Sequence, residues 1–524
     1  MTRTSALAPL DRFSAMGDLA PHVQRLMNRI LGPIVGALII EAIVLAYTGN
    51  AGLMSFVLIS VGCCLPLFAW RAGGLGLPLM PMMAVQYLAV YALPIVTRNE
   101  TVTAASTADL TAAGYEVLTF GIALTLAWRL GLQIFSPGRA LSYSLLGAER
   151  SATKNLVRFG FILIIVSSVY MLLLITQLLD DIYAVLPSGS GSILGTVQSA
   201  ASACGFFIMA MMVGTREVSR SQRMLFWLLL AWNCIIAASG FLLSGVTTCI
   251  VSVLIGLFWG SGRMPWRFLI IVVGILAFLN IGKQDMRAKY WFGNEDEPSM
   301  PAIGITDLPG IYYEWAQSSV DALSGVENVP TRMGSHTEAK EAKQTLLARI
   351  NNLQNLLFVV DAVGTEHVAT LGGATYRLIP ELLVPRILWP GKPRSHEGQV
   401  LLNVHFGRQD LESTLNAYVA WGLLPEAYGN FGPILGAVVL GGVLGLVFAW
   451  MEKYTSRKPI MSLEGFASFA IFLGMVNSFE MVASVLVTSV FDAVIPIVIG
   501  CVPVVRHMVL NRPPPPGTNM EAEP

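Results

Sequence analysis

Charge is scarce in this chain: Asp, Glu, Lys and Arg make up 13% of its 524 residues, about half the roughly 25% of soluble domains. That scarcity excludes an ordinary soluble enzyme. The charges also cancel, 33 basic against 33 acidic, so there is no cationic surplus for a nucleic-acid partner. Cysteine is rare as well, and all six (Cys63, Cys64, Cys204, Cys234, Cys249, Cys501) fall inside apolar stretches. They read as small buried hydrophobes rather than a disulfide framework or a metal set. A cleavable leader is not expected, since residues 1–28 are polar and basic and the first apolar run has span length and no small-residue cleavage site. The two halves show no repeat of the kind that builds many transporters.

What is present is apolar: hydrophobic residues reach 54% and mean hydropathy is +0.63. A helix needs about 20 largely apolar residues to cross a bilayer. Spans are expected at 31–47, 52–70, 74–96, 114–135, 159–179, 194–214, 224–242, 245–260, 267–282, 431–451, 461–480 and 483–505. The expected fold is therefore an all-α polytopic membrane protein with about 12 transmembrane helices and a large, partly helical extracytoplasmic loop. The segments are a cytoplasmic N-terminal stretch (1–30), a first bundle of about nine helices (31–282), the loop or cap (283–430), a second bundle of about three helices (431–505) and a cytoplasmic tail (506–524). Orientation follows from basic residues in short loops. Twenty of the 33 fall on the side that holds both termini, and Arg98 is alone in the short connections opposite. The other twelve lie in 283–430, whose length exempts it from the rule.

The loop has structure of its own. Ser335 and Glu338 are spaced as a capping box, and Leu346, Leu347, Ile350, Leu353, Leu357 and Val360 recur at helical spacing. That face can pack on other helices or lie along the membrane surface, and packing is the expected outcome. Charge is segregated, with ten acids and four bases in 285–341. The stretch 377–408 reverses this, carrying Arg377, Arg386, Lys392, Arg394 and Arg408 against Glu381 and Glu397, with His396 and His405. Prolines 380, 385, 390 and 393 interrupt it, so its cations sit on short stiff pieces. Guanidinium groups suit planar, multi-donor binding of phosphate, and the same groups can serve as interfacial anchors that snorkel to headgroups. The loop closes on Pro425-Glu426-Ala427-Tyr428-Gly429-Asn430-Phe431-Gly432. There Glu426 can orient a hydroxyl, act as a general base or pair with an arginine. Within the spans Glu41, Glu480 and Asp492 stand out as ionisable. Asp492 needs a polar cavity or a partner. Asp180-Asp181 are adjacent and point apart, so a metal site from them is not expected.

Two of these stretches resemble the oligosaccharide repeat-unit polymerases (Wzy-type, O-antigen polymerase-like): Trp389-Pro390-Gly391-Lys392-Pro393, and Pro425 to Gly432 leading into a span. The span count and the single late external loop match that family too. The resemblance implies a metal-independent, cofactor-free glycosyltransferase of the bacterial inner membrane. It would join polyprenyl-pyrophosphate-linked oligosaccharides at the extracytoplasmic face, alongside a flippase and a chain-length regulator, for a surface or exopolysaccharide. It assigns Arg377, Arg386 and Lys392 to pyrophosphate, and Glu426 to proton transfer or acceptor orientation. Arg394, His396, Arg408, Tyr428, Asn430 and Glu480 are further substrate-binding candidates. An O-antigen-type ligase, a polysaccharide or lipid transporter, and an assembly scaffold stay open as alternatives.

Overall fold

A computed structural model describes residues 15–139, 150–179, 183, 185, 190–290, 303–324, 351–384, 388–389, 391–416, 419–460, 462–478 and 481–497. Among the described residues the regular structure is helical throughout. Ten helices are long and apolar enough to cross a membrane: Met16–Tyr47, Leu53–Gly73, Leu79–Val96, Thr107–Ile134, Lys154–Ile175, Ile193–Gly214, Arg220–Ala238, Leu243–Ser261, Trp266–Lys283 and Leu435–Thr455. These match the first ten expected spans, so the chain is a polytopic helical membrane protein. The eleventh and twelfth are shorter apolar helices, Leu463–Ser478 and Ala483–Pro496, and parts of both expected spans lie outside the described residues.

Small residues set the closest packing, because the hydrophobic effect does not press helices together inside lipid and van der Waals contact must. Gly441 and Gly445 on Leu435–Thr455 lie against the backbone carbonyls of Phe120 and Leu124. Gly256 and Gly260 do the same against Phe207 and Met211. Pro66 has no N–H for the carbonyl four residues earlier, that of Gly62. Gly121 of Thr107–Ile134 approaches that same oxygen so closely that an added Cβ would stand 2.0 Å from it. Gly121→Ala is therefore expected to force these two helices apart at a cost of at least about 2 kcal/mol. Gly32→Ala, on the first helix with nothing within 4 Å of its Cβ position, should leave stability unchanged. Thermal midpoints of the two detergent-purified variants check the contrast.

One end of the bundle is covered by short helices from the 283–430 segment. Leu308–Leu323 folds back along Trp266–Tyr290, with Trp315 Nε1 donating to Leu279 O at 2.7 Å. Leu353–Gly364 buries Leu353, Leu356, Leu357, Val359 and Val360 against Thr107–Ile134 and Leu423–Phe431. The expected apolar face is thus a packing face; Ser335, Glu338 and Leu346–Ile350 lie outside the described residues. A second proline anchors this layer. Pro94 leaves the Val90 carbonyl without its helical donor, the helix widens into a π turn over Leu88–Ala92, and Asn352 N donates to Val90 O at 3.0 Å.

Candidate functional site

The helix Leu423–Phe431 is the centre of the covering layer. Gly422 before it has φ 89° and Gly432 after it φ 82°, so both of its ends turn through left-handed backbone that favours glycine. Glu426 and Asn430, four residues apart, share one face, and both are fully buried. Thr375 Oγ1 donates to Glu426 Oε1 at 2.6 Å, and Ala483 N donates to Oε2 at 2.6 Å. Asn430 Nδ2 donates to Thr375 Oγ1 at 2.9 Å and to Glu426 O at 2.8 Å. Ala483 opens the final helix, Ala483–Pro496, so Glu426 satisfies a first-turn amide that has no partner within its own helix and sits at the positive end of its dipole. Burial raises the Glu426 carboxyl to about 7, against the lowering effect of its two donors. In this arrangement Glu426 anchors the start of the last described helix, a role its sequence position does not show.

The cationic stretch converges on the same junction in pieces. Leu371 N and Gly372 N donate to the carbonyls of Gly429 and Asn430 at 3.0 and 2.9 Å, docking the strand of chain that leads into Ala374–Arg377. Tyr376 stacks on Phe431 at 5.5 Å. Gly398, in helix Glu397–His405, has its Cβ position 3.0 Å from Ser484 Oγ and 3.8 Å from Thr375 Cβ. Arg377 ends the short helix that carries Thr375, and His396 precedes the helix that carries Gly398, so both stand two residues along the chain from these contacts; Arg377 is exposed and His396 half-buried. His396 Nδ1 lies 2.8 Å from Gln399 Oε1. A carbonyl oxygen only accepts, so in this contact Nδ1 is the donor. The fully buried Gln399 is fixed by Nε2 donating to Met481 Sδ at 3.3 Å.

The other expected site residues divide. Lys392 Nζ donates to Leu382 O and Val384 O at 2.8 and 2.7 Å, capping the short helix Ile379–Leu382. It also lies within electrostatic reach of Asp492. Arg394 is exposed and pairs with Glu397 at 3.3 Å. Arg408 stands beyond the far end of Glu397–His405, about 13 Å along the helix axis from His396, and belongs to a different cluster. Its Nη1 donates to Asn355 Oδ1 at 2.7 Å. Tyr428 projects from the face opposite Glu426, within electrostatic reach of Glu116 and Asp109, and burial pushes its hydroxyl up to about 12. Arg386 and Glu480 lie outside the described residues, as do Asp180, Asp181 and Cys501. Glu41 is half-buried on the first helix. Asp492 meets the expected polar cavity, of about 440 Å³, lined also by Thr196, Ser199, Thr248, Ser478 and Ser489.

Thr375 and Gln399 are the residues that sequence reasoning missed. Each is uncharged and in no recognisable motif, and only the partner it meets gives it a role. Among the described residues no group of three or more His, Cys, Asp or Glu is placed to hold a metal ion. Comparison with protein-family models, curated proteins and solved structures finds no match to this chain. What the fold and the site define is a class: a multi-pass helical membrane protein whose late polar segment builds a layer over one end of the bundle.

Proposed function

We propose that the chain polymerises polyprenyl-pyrophosphate-linked oligosaccharide repeat units at the extracytoplasmic face of a bacterial inner membrane. The observation that carries this reading is the junction itself. The short helices that end in the exposed Arg377 and begin after His396 meet each other where the covering layer joins the last described helix. A lipid-linked pyrophosphate holds its anion at the surface while its tail stays in the bilayer, so such a junction suits it. In the proposed step an acceptor hydroxyl oxygen bonds to the donor's anomeric carbon. The bond from that carbon to the pyrophosphate oxygen breaks, and the bonding pair leaves with the lipid pyrophosphate. The hydroxyl proton passes to His396 Nε2, and Arg377 stabilises charge on the leaving group. Metal and cofactor have no part in this step.

Deleting the gene and complementing with wild type or Arg377→Ala tests the reading. Single repeat units at the surface in the deletion, with long ladders restored by wild type and reduced at least about 100-fold by Arg377→Ala, are expected. Ladders that persist on the lipid carrier without reaching their acceptor would indicate a ligase instead. A second reading, transport, rests on the Asp492 cavity, because an ionisable group in a hydroxyl-lined intramembrane cavity marks many substrate or ion paths. Loss of every external repeat unit in the deletion strain would favour it.

A further inference from the structure

A separate cleft lies between residues 101–109 and the helix Leu353–Gly364, with a volume of about 400 Å³. This is near the lower end of the roughly 300–1,000 Å³ of small-molecule sites, room for a mono- or disaccharide. Its polar lining is Thr101, Ser106, Asp109, Gln354, Asp361 and Arg408, beside the ring of Phe358. We propose that this cleft is the subsite for the terminal sugar of the acceptor glycan, an inference that rests on the glycosyltransferase reading above.

Three observations support it. The first is the chemistry of the lining. Two carboxylates, an amide, a guanidinium and two hydroxyls offer mixed donors and acceptors, which a polyol can match. With two acids against one base the cleft repels phosphate, in contrast to the cation-bearing junction. The second is construction. Arg408 lies over Phe358 at 5.3 Å and donates to Asn355, which is 5% exposed. Asn355 Nδ2 in turn donates to Asn352 Oδ1 at 2.7 Å and to the carbonyls of Ala420 and Trp421 at 2.9 and 3.0 Å. Asn352 Nδ2 donates to Tyr91 Oη at 3.3 Å, and a Cβ at Gly422 would stand 2.0 Å from that nitrogen. Buried amides are costly unless fully bonded; here they form a chain whose outer end fixes one guanidinium at a cleft wall. The third is position. The helix Leu423–Phe431 carries Glu426 toward the junction, and on its opposite face Tyr428 comes within electrostatic reach of the cleft residue Asp109. One rigid element thus separates the proposed donor anion site from a site for an uncharged sugar.

The test uses purified full-length protein in nanodiscs and saturation-transfer NMR. The probes are glucose, galactose, N-acetylglucosamine and lactose at millimolar concentration, with inorganic phosphate as competitor. Saturable transfer to at least one sugar is expected in wild type and in Arg377→Ala. Weakening by about tenfold is expected in Gln354→Ala and in Asp361→Asn, the loss of a strong hydrogen bond, with thermal midpoints unchanged. Phosphate should not compete. Absence of transfer to all four sugars, transfer unaffected by both substitutions, or displacement by phosphate would each overturn the proposal. Sugar binding that persists in a protein whose deletion leaves ladders intact would keep the subsite and remove the polymerase reading, so the two fail separately.

Discussion

Glu426→Ala is expected to be the most damaging single substitution in the covering layer. It removes the acceptor of the Thr375 hydroxyl and of the Ala483 amide, and each buried donor left unpaired costs about 1–3 kcal/mol. Destabilisation of about 3–5 kcal/mol follows, large against the total stability of most proteins. The Ala483 end of the final helix loses its anchor, so activity should fall with stability. Glu426→Gln separates charge from shape. With its carboxyl raised to about 7 by burial, the folded protein holds a proton that the unfolded chain, near 4.5, has already released. The folded state therefore binds more protons between pH 4.5 and 7, and stability falls as pH rises through that window, by up to about 3 kcal/mol. The glutamine variant has no proton to lose at this position. Thermal midpoints in detergent from pH 4.5 to pH 8 should decline in wild type and stay flatter in Glu426→Gln. Equal slopes for the two proteins would assign the pH dependence elsewhere.

The second large effect concerns His396, the proposed base. If the polymerase reading holds, His396→Ala should lower glycan lengthening by about 10²–10⁴-fold, the usual contribution of a positioned general base, while the protein still inserts into the membrane. Gln399→Leu asks a finer question. It keeps the volume but removes the acceptor for Nδ1–H, so the ring loses the bond that fixes its tautomer. The expected result is a lower rate, with recovery in Gln399→Glu, whose carboxylate also accepts from Nδ1. Equal rates in Gln399→Leu and Gln399→Glu would show that Gln399 merely supports packing.

Several parts of this architecture were legible from residues alone. Leu353, Leu357 and Val360 repeat at helical spacing, and their shared burial against Leu423–Phe431 is what that period dictates. Asp492 in an apolar run called for a polar cavity, and it lines one. The cation cluster of 377–408 was legible only as composition. It is divided in space because Glu397–His405 is a rigid rod that holds Arg408 away from Arg377, and because Lys392 meets carbonyls only eight and ten residues before it. Glu426 and Asn430 can be assigned to one helix face from their spacing, but that face has no direction until Thr375 and Ala483, 51 and 57 residues from Glu426, close on it.

By itself the sequence determined the class of this protein and the positions of its long apolar helices, since bilayer thickness converts a run of apolar residues directly into a span. It also determined where prolines remove a backbone donor, because that property belongs to the residue, whereas which glycines mark close approaches, Gly121 and not Gly32, depends on the neighbours. The tertiary structure alone decided which polar groups are sealed and which face out. A carboxylate, an amide or a guanidinium has the same chemistry in either place, and only the neighbours brought to it by the fold make it a strut, a base or a binding group.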